Sequence, residues 1–361
     1  MPLIVDAHED LAYNALTFGR DVTRSAAETR QAEAGGETPQ RNGNSMLGLP
    51  DYLRGQVAVI FSTLFAAPYS QRALAWEARG YANADEAHRL YHEQLDYYQR
   101  LTDEHEQFVR IGTRADLERV LVTWDEPDES QRRVGLVPLM EGADAIREPA
   151  EAAWWQERGV RLVGLAWSGT RYAGGTGAPG PLTPEGRRLV SELADLGLIL
   201  DLAHSSDESF LEALDRFEGT VVCTHANVRA LLKEFSRPER MLSDDMIRRL
   251  AEAGGVIGVV PYNRFLKAGW QPSDGKEAVT LEQVAANIDY ICQLTGSVAH
   301  VAIGSDFDGG FGLEHTPAEL DTVADLQKLG PVLAARGYSA GDIEAIFSEN
   351  WLAVLRRGLP A

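Results

Sequence analysis

The feature that most constrains the fold of this chain is the regular alternation of short β-branched runs with amphipathic stretches patterned like helices. Strands that alternate with helices pair in parallel, and eight such units favour a closed barrel over an open doubly wound sheet. No GxGxxG turn follows the first run to suggest a dinucleotide-binding sheet instead. The sequence therefore predicts an α/β fold, the (β/α)8 TIM barrel. The eight predicted strands are residues 3–8, 57–65, 135–141, 160–167, 197–204, 220–225, 255–262 and 299–306.

Capping residues mark the ends of two helices predicted between these strands. Thr183 and Ser243, each followed by acidic residues, are typical of helix N-termini. Gly197 and Gly254 are typical of the residues at which such helices end.

Three regions interrupt the alternation within what we predict to be one domain over residues 1–361. Residues 20–50 are polar and rich in Gly, Thr, Gln and Asn, which predicts a long loop on the catalytic face that could act as a lid. Residues 72–121 predict a helical insertion, with 108–112 as an extra strand. Residues 339–358 predict a closing pair of helices.

Composition argues against several classes of partner. The chain has 34 Lys and Arg against 54 Asp and Glu, and this net charge of −20 would repel a nucleic-acid backbone and an anionic membrane surface alike. We find no apolar run of about 18 residues and no basic leader, so we expect a soluble, unexported protein without a membrane partner. Its two cysteines, Cys223 and Cys292, predict free thiols and a reducing, cytoplasmic location.

Five of the predicted strands end in residues that could ligate a metal. These runs are LIVDAHED, GLVPLMEG, LILDLAHS, VVCTHAN and VAIGSDFDG. The carboxyl ends of parallel barrel strands share one face, so these side chains should lie together. Imidazole nitrogen and carboxylate oxygen are ligands that Zn²⁺ accepts, and catalytic sites keep one position open for water. The candidate residues are His8, Asp10, Glu141, His204, His225 and Asp306.

The separate signals are weak and gain weight only together. His8 and Asp10 project to the same side of an extended strand, although a strand-end histidine bonded to a nearby carboxylate would give the same pattern. His204 and His225 end consecutive strands, which are neighbours in a barrel, and a lone histidine at either place is more often a core residue. Glu141 could bridge two metal ions roughly 3.5–4 Å apart through its two oxygens.

Charge and geometry also suggest a role for Asp306. Two divalent ions, balanced by Asp10, Glu141 and a bridging hydroxide, would leave a net charge of about +1 to stabilise an oxyanion. Asp306 could then accept the proton of the attacking water and pass it to the leaving amine. The alternative is a structural aspartate in a glycine-flanked turn.

In their order and spacing, the segments DAHED, MEGADAI, DLAHSS, THANVRAL and IGSDFDG resemble the renal or membrane dipeptidases, which are metal-dependent barrels of the amidohydrolase superfamily. The resemblance covers most of the chain and includes LPDYLRGQVAVIFS, RMLSDDMI, VVPYN and SENWLAVLRR. It implies hydrolysis of small dipeptides, with a D-residue tolerated on the carboxyl-terminal side. It also implies a homodimer, a state that relatives commonly adopt.

The resemblance assigns a role to each candidate residue. It implies that His8 and Asp10 hold one zinc ion, that His204 and His225 hold a second, and that Glu141 bridges them while Asp306 moves protons. Arg240 would bind the terminal carboxylate of the substrate, since an arginine fork suits this bidentate contact, and Tyr262 would line the same pocket. Considered without this resemblance, Arg240 is predicted to be a solvated loop cation and Tyr262 a packing residue.

One position departs from the family pattern. Where the family usually has a substrate-facing histidine at the end of the fourth strand, this chain has Trp167. Its indole offers one hydrogen-bond donor and can carry neither an extra proton nor a full positive charge. Our hypothesis is that Trp167 reshapes the pocket toward a different dipeptide or an N-acyl amino acid, with Arg171 or Tyr172 supplying the lost polar contact.

Two other functions therefore stay open. One is a different amidohydrolase, such as an N-acyl amino acid deacylase or a lactonase, and the other is a catalytically silent relative that binds metal. A serine hydrolase has no support, because no GxSxG motif occurs.

Overall fold

A computed structural model describes residues 1–71 and 75–361 of the chain. All eight predicted strands are present, and most are shorter than the apolar runs that predicted them. Every residue of these eight strands is buried, as expected where helices cover one face of a parallel sheet and side chains fill the interior on the other. The strands are β1 Ile4–Glu9, β2 Val57–Leu64, β3 Val134–Met140, β4 Leu162–Gly164, β5 Ile199–Asp201, β6 Val221–Val222, β7 Ile257–Val259 and β8 Val301–Ile303.

The strands form a ring in chain order. Parallel pairing runs without interruption from β1 to β6, and β7 pairs in parallel with β8. Single parallel bridges complete the ring, from Cys223 to Ile257 between β6 and β7, and from Glu9 to Phe307 between β1 and the loop after β8. This closure confirms the predicted (β/α)8 barrel.

Helices fill the connections between the strands, and their ends follow from local sequence. The side chains of Thr183 and Ser243 accept hydrogen bonds from the first turns of the helices they precede, and Gly197 and Gly254 have the positive φ angles of chain that leaves a helix. The α-helices of the regular connections are Leu11–Phe18, Leu49–Gly55, Ala152–Glu157, Pro184–Asp195, Asp207–Arg216, Asp244–Glu252, Asn263–Leu266, Leu281–Thr295 and Leu329–Ala335.

The segment 20–50 is more regular than the predicted loop. It contains the helices Ala26–Glu33 and Thr38–Asn42. A capping box at Ser25 stabilises the start of the first helix. It contacts the loop after β8, where Arg20 pairs with Asp308 at 3.0 Å. The described residues that line the large cavity at the barrel mouth include none from 20–50, and a lid role for this segment stays a prediction.

The other two interruptions also take definite form. The first three residues of the predicted insertion 72–121 lie outside the described residues, and the rest holds the helices Ala84–Glu104 and Arg114–Val122. The predicted extra strand is present as Phe108–Arg110, parallel to β3. Residues 339–358 form one unbroken helical run, Ala340–Glu344, a π-helical turn Ala345–Glu349 and Asn350–Gly358, where we predicted a pair of helices.

Two further predictions bear on the chain as a whole. Cys223 and Cys292 are both free thiols, as predicted. Within residues 1–71 and 75–361, no helix has both the length and the apolar character that crossing a bilayer requires.

Candidate metal centre and substrate cavity

The predicted ligands converge at one mouth of the barrel. His8 lies at the end of β1, and the others follow β1, β3, β5, β6 and β8 within three residues, so closure of the barrel brings them together. Their ligand atoms form three overlapping groups, within each of which all atoms lie within 4.8 Å of one another. These groups are His8, Asp10 and Glu141; Glu141, His204 and His225; and His8, His225 and Asp306.

Glu141 sits where the first two groups meet. Its Oε2 lies 3.6 Å from Nε2 of His8, while its Oε1 lies 3.2 Å from Nε2 of His204 and 3.4 Å from Nε2 of His225. The two oxygens of one carboxylate thus face different histidines. This is the arrangement expected of a carboxylate that bridges two metal ions.

The nitrogen atoms of the cluster also fit a metal. Both ring nitrogens of His8 are buried without a hydrogen-bond partner among the described residues, and Nε2 of His204 lies 3.0 Å from Nε2 of His225. Burial, with the nearby Arg240 and His8, holds the pKa values of His204 and His225 well below the usual 6.5. Both imidazoles are therefore neutral at pH 7, which is the state that ligates metal.

Hydroxyl groups orient the ligands from behind. Thr224 Oγ1 lies 2.9 Å from Nδ1 of His225 and donates to Oδ2 of Asp201 at 2.6 Å. Thr176 Oγ1 lies 3.1 Å from Nδ1 of His204, and the hydroxyl of Thr63 donates to Oδ1 of Asp10. Such outer contacts fix the ring orientation of a ligand and tune its basicity. None of these four outer residues was predicted from the sequence, although Asp201, an acidic residue inside an apolar strand run, is a signal that could have indicated one of them.

Three carboxyl groups lie together in this cluster. Burial raises the pKa of Glu141 to about 8, against the opposing effect of Arg240, and raises that of Asp10 to about 6, against that of His8. Burial also raises the pKa of Asp306 well above its usual value, with His8 opposing. Ionised carboxylates in such a place are costly unless cations compensate them, and bound divalent ions would do so.

The loop after β8 holds Asp306 toward the cluster. Asp306 has a φ of 57°, its backbone N–H donates to the carbonyl of His8 at 3.2 Å, and its Oδ1 lies 3.8 Å from Nε2 of His8. Gly309 allows this approach, because a Cβ there would lie 2.2 Å from Oδ1 of Asp306. Asp308 anchors this loop, because its carboxylate pairs with Arg20 and accepts hydrogen bonds from Ser45 and the N–H of Met46.

A cavity of about 820 Å³ opens above the cluster, and Arg240 and Tyr262 both line it. Arg240 is buried, donates from Nη1 to the carbonyl of His225 at 2.8 Å, and stacks over Phe265, while its Nη2 is buried without a partner among the described residues. Tyr262 stacks on Phe311 at a centroid distance of 4.3 Å, and burial raises its pKa to about 12. Arg240 is therefore a cavity residue and not a solvated loop cation.

Trp167 also lines the cavity, with its ring centroid 6.2 Å from that of His204. The residues suggested to replace its missing polar contact lie elsewhere: Arg171 donates to Glu185 at 2.8 Å, and the hydroxyl of Tyr172 donates to the carbonyl of Ile146. Neither lines this cavity, so that part of our hypothesis was wrong.

A closed parallel barrel with clustered histidines and carboxylates at the carboxyl ends of its strands defines the class, a barrel metallohydrolase. Residues 1–358 match the family described as "Membrane dipeptidase (Peptidase family M19)". The chain therefore belongs to the membrane dipeptidase family, peptidase family M19, and its function is that of a metal-dependent dipeptidase.

The chain is also similar to individual proteins. The chain is 32% identical over 234 residues to "Uncharacterized protein in pqqA 5'region" of Klebsiella pneumoniae, covering 62% of this chain and 82% of that one. It is 30% identical to "Dipeptidase aclJ" of Aspergillus oryzae, covering 56% of this chain and 46% of that one, less than half of the relative's length. A solved metallo peptidase from Rhodobacter sphaeroides, liganded with a phosphinate mimic of the dipeptide L-Ala-D-Ala, shares the fold with a TM-score of 0.77 at 24% identity, covering 99% of each chain.

Proposed function

We propose that this protein hydrolyses the peptide bond of small dipeptides at a centre of two zinc ions. In this proposal His8 and Asp10 hold one ion, His204 and His225 hold the other, and Glu141 contacts both. The observation that carries it is the pair of Glu141 oxygens, one facing His8 and the other facing His204 and His225. The nitrogen and oxygen donor set suits zinc, although another divalent metal could occupy the same ligands.

The chain's own residues then move the protons and bind the substrate. When bound, the metal ions would supply an acidified water and polarise the substrate carbonyl. Asp306 accepts the proton of the attacking water on its carboxylate and donates it to the leaving amine, a role that its place beside His8 in the ligand cluster favours. Arg240 holds the substrate's terminal carboxylate through Nη2, because Nη1 already donates to the carbonyl of His225. Tyr262 lines the pocket beside it.

The substrate range in this proposal includes dipeptides with a D-residue in the carboxyl-terminal position. The Rhodobacter relative, whose ligand mimics L-Ala-D-Ala, supports this extension. A cytoplasmic location and a homodimer remain predictions of the sequence.

A second candidate is hydrolysis of an N-acyl amino acid or a lactone, and Trp167 is the observation that favours it. An indole in place of a proton-carrying histidine suits an apolar acyl group at this side of the cavity. A catalytically silent relative is the third reading, and the complete ligand cluster argues against it.

A substrate panel separates these functions. Zinc-loaded protein is given L,L and L,D dipeptides beside the N-acetyl forms of the same carboxyl-terminal amino acids and a simple lactone, and the released amine or acid is measured. We expect dipeptide turnover that a chelator abolishes and zinc restores, with Asp306→Asn as the inactive control. Turnover of N-acetyl amino acids or of the lactone alone would favour the second candidate, and no turnover with bound zinc would favour the third.

A further inference from the structure

We propose that Trp76 and Trp167 form an aromatic wall that selects dipeptides whose amino-terminal residue carries a bulky apolar side chain, above all an aromatic one. The inference rests on the proposed dipeptidase function and deepens it by naming the class of substrate.

The aromatic wall presents two indole rings to the cavity. Their centroids lie 6.1 Å apart with the planes at 89°, and both side chains are only partly buried while lining the cavity. A third aromatic ring prefers offset-stacked or edge-to-face packing, and two perpendicular indoles give it an aromatic partner in either arrangement. A small side chain such as methyl would leave most of this apolar surface in contact with water.

The wall is fixed from behind. Phe65 lies 5.1 Å from the ring of Trp167 and 5.7 Å from that of Trp76, and the hydroxyl of Tyr13 donates to the carbonyl of Trp76 at 2.8 Å. On the cavity side, a Cβ at Gly310 would lie 2.4 Å from the Trp76 ring, so the loop after β8 packs closely against it. A preorganised surface of this kind loses little entropy when a ligand packs on it.

The aromatic wall and the two residues proposed to hold the substrate carboxylate, Arg240 and Tyr262, lie in different sectors of the barrel mouth. Trp167 follows β4 and Trp76 lies in the insertion after β2, whereas Arg240 contacts His225 after β6 and Tyr262 follows β7. A dipeptide with its carboxylate at Arg240 and its scissile carbonyl at the ligand cluster therefore extends its amino-terminal residue toward the wall. The chemistry of the wall, apolar and uncharged, then decides which side chain is accepted there.

The test compares matched dipeptides on the zinc-loaded protein. The substrates are L-Phe-L-Ala, L-Ala-L-Ala and the reversed L-Ala-L-Phe, and the quantity is the ratio of their kcat/KM values. One methylene in an apolar pocket changes this constant by about tenfold or more, so we expect L-Phe-L-Ala to exceed L-Ala-L-Ala by at least about tenfold. We expect L-Ala-L-Phe to lack this advantage.

Variants link the preference to the wall. Trp167→Leu and Trp76→Leu should each reduce the ratio severalfold toward unity. Trp154→Leu is the matched control, because Trp154 contacts His88 and His92 outside the cavity, and it should keep the wild-type ratio. A wild-type ratio near unity, or a ratio unchanged in both wall variants, would overturn the inference.

A binding measurement separates this inference from the proposed function. Phosphinate mimics of L-Phe-L-Ala and L-Ala-L-Ala are titrated calorimetrically into zinc-loaded wild type and into whichever wall variant keeps the wild-type melting temperature. If no dipeptide is hydrolysed, the proposed function fails, yet the binding ratio still decides the inference. At least about tenfold tighter binding of the phenylalanine mimic, lost in the wall variant, supports it, and equal binding overturns it.

Discussion

Replacing Arg240 by glutamine tests how the cavity holds the substrate. Arg240 is buried, and Nη1 already donates to the carbonyl of His225, which leaves the buried Nη2 for the substrate carboxylate. One hydrogen bond to a charged group is worth about 1.5–3 kcal/mol, or roughly 10- to 150-fold in kcat/KM. We therefore expect Arg240→Gln to lose at least about tenfold in kcat/KM, mostly through KM, because this contact is made equally in the ground and transition states.

The assay uses each dipeptide beside its carboxyl-terminal amide. The amide lacks the charge that Arg240 would bind, so the wild type should hydrolyse it poorly and Arg240→Gln should cause little further loss. Bound zinc is measured in both proteins to show that His225 still ligates. An equal loss on dipeptide and amide, accompanied by loss of zinc, would refute the reasoning and reduce Arg240 to a support for His225.

Three further predictions concern the metal centre. Asp306→Asn should lower kcat by about 10²- to 10⁴-fold with zinc content unchanged, and a small effect would remove Asp306 from proton transfer. Because burial raises the pKa of Glu141 to about 8, zinc must displace a proton at pH 7. Calorimetry in buffers of different ionisation enthalpy should therefore detect protons released when zinc binds. The affinity for zinc should also fall as the pH drops below 8. Zinc binding without proton release would contradict the protonated state of Glu141. Thr224→Val should weaken zinc binding about 10- to 100-fold by removing the contact to His225, whereas Thr224→Ser should keep that contact and the wild-type affinity. Equal zinc affinities of Thr224→Val and the wild type, measured by chelator competition, would show that Thr224 does not support His225.

The ligand cluster was predictable because its signals do not depend on tertiary detail. Parallel strands of a barrel end on one face, so polar residues after apolar runs must meet there whatever the connecting loops do. His204 and His225 follow short strands of three and two residues, yet the apolar runs before them were enough to place them.

The hydroxyl groups behind the ligands were not predictable in the same way. Thr63 lies inside β2 and Thr224 lies two residues after β6, where a β-branched threonine is typical of an ordinary strand. Thr176 lies in a glycine-rich loop whose path no periodic pattern describes. Only the folded backbone brings these hydroxyls to Asp10, His225 and His204.

Segments shaped by distant contacts were the least predictable. The composition of 20–50 favours a loop, but Asp308, more than 250 residues away, accepts hydrogen bonds from Ser45 and Met46 and pairs with Arg20. Trp76 belongs to the insertion 72–121, and nothing in its local sequence places its ring against Gly310 and Trp167. Such contacts come from tertiary packing, which overrides local preference.

The most direct test of the account is the rate of dipeptide hydrolysis as zinc is added back to metal-free protein. We predict no turnover without metal and activity that rises until two zinc ions are bound per chain, with Glu141→Gln failing to reach that stoichiometry. Full activity in the metal-free protein, or two bound ions in Glu141→Gln with unchanged affinity, would contradict the central claim that Glu141 joins two metal sites.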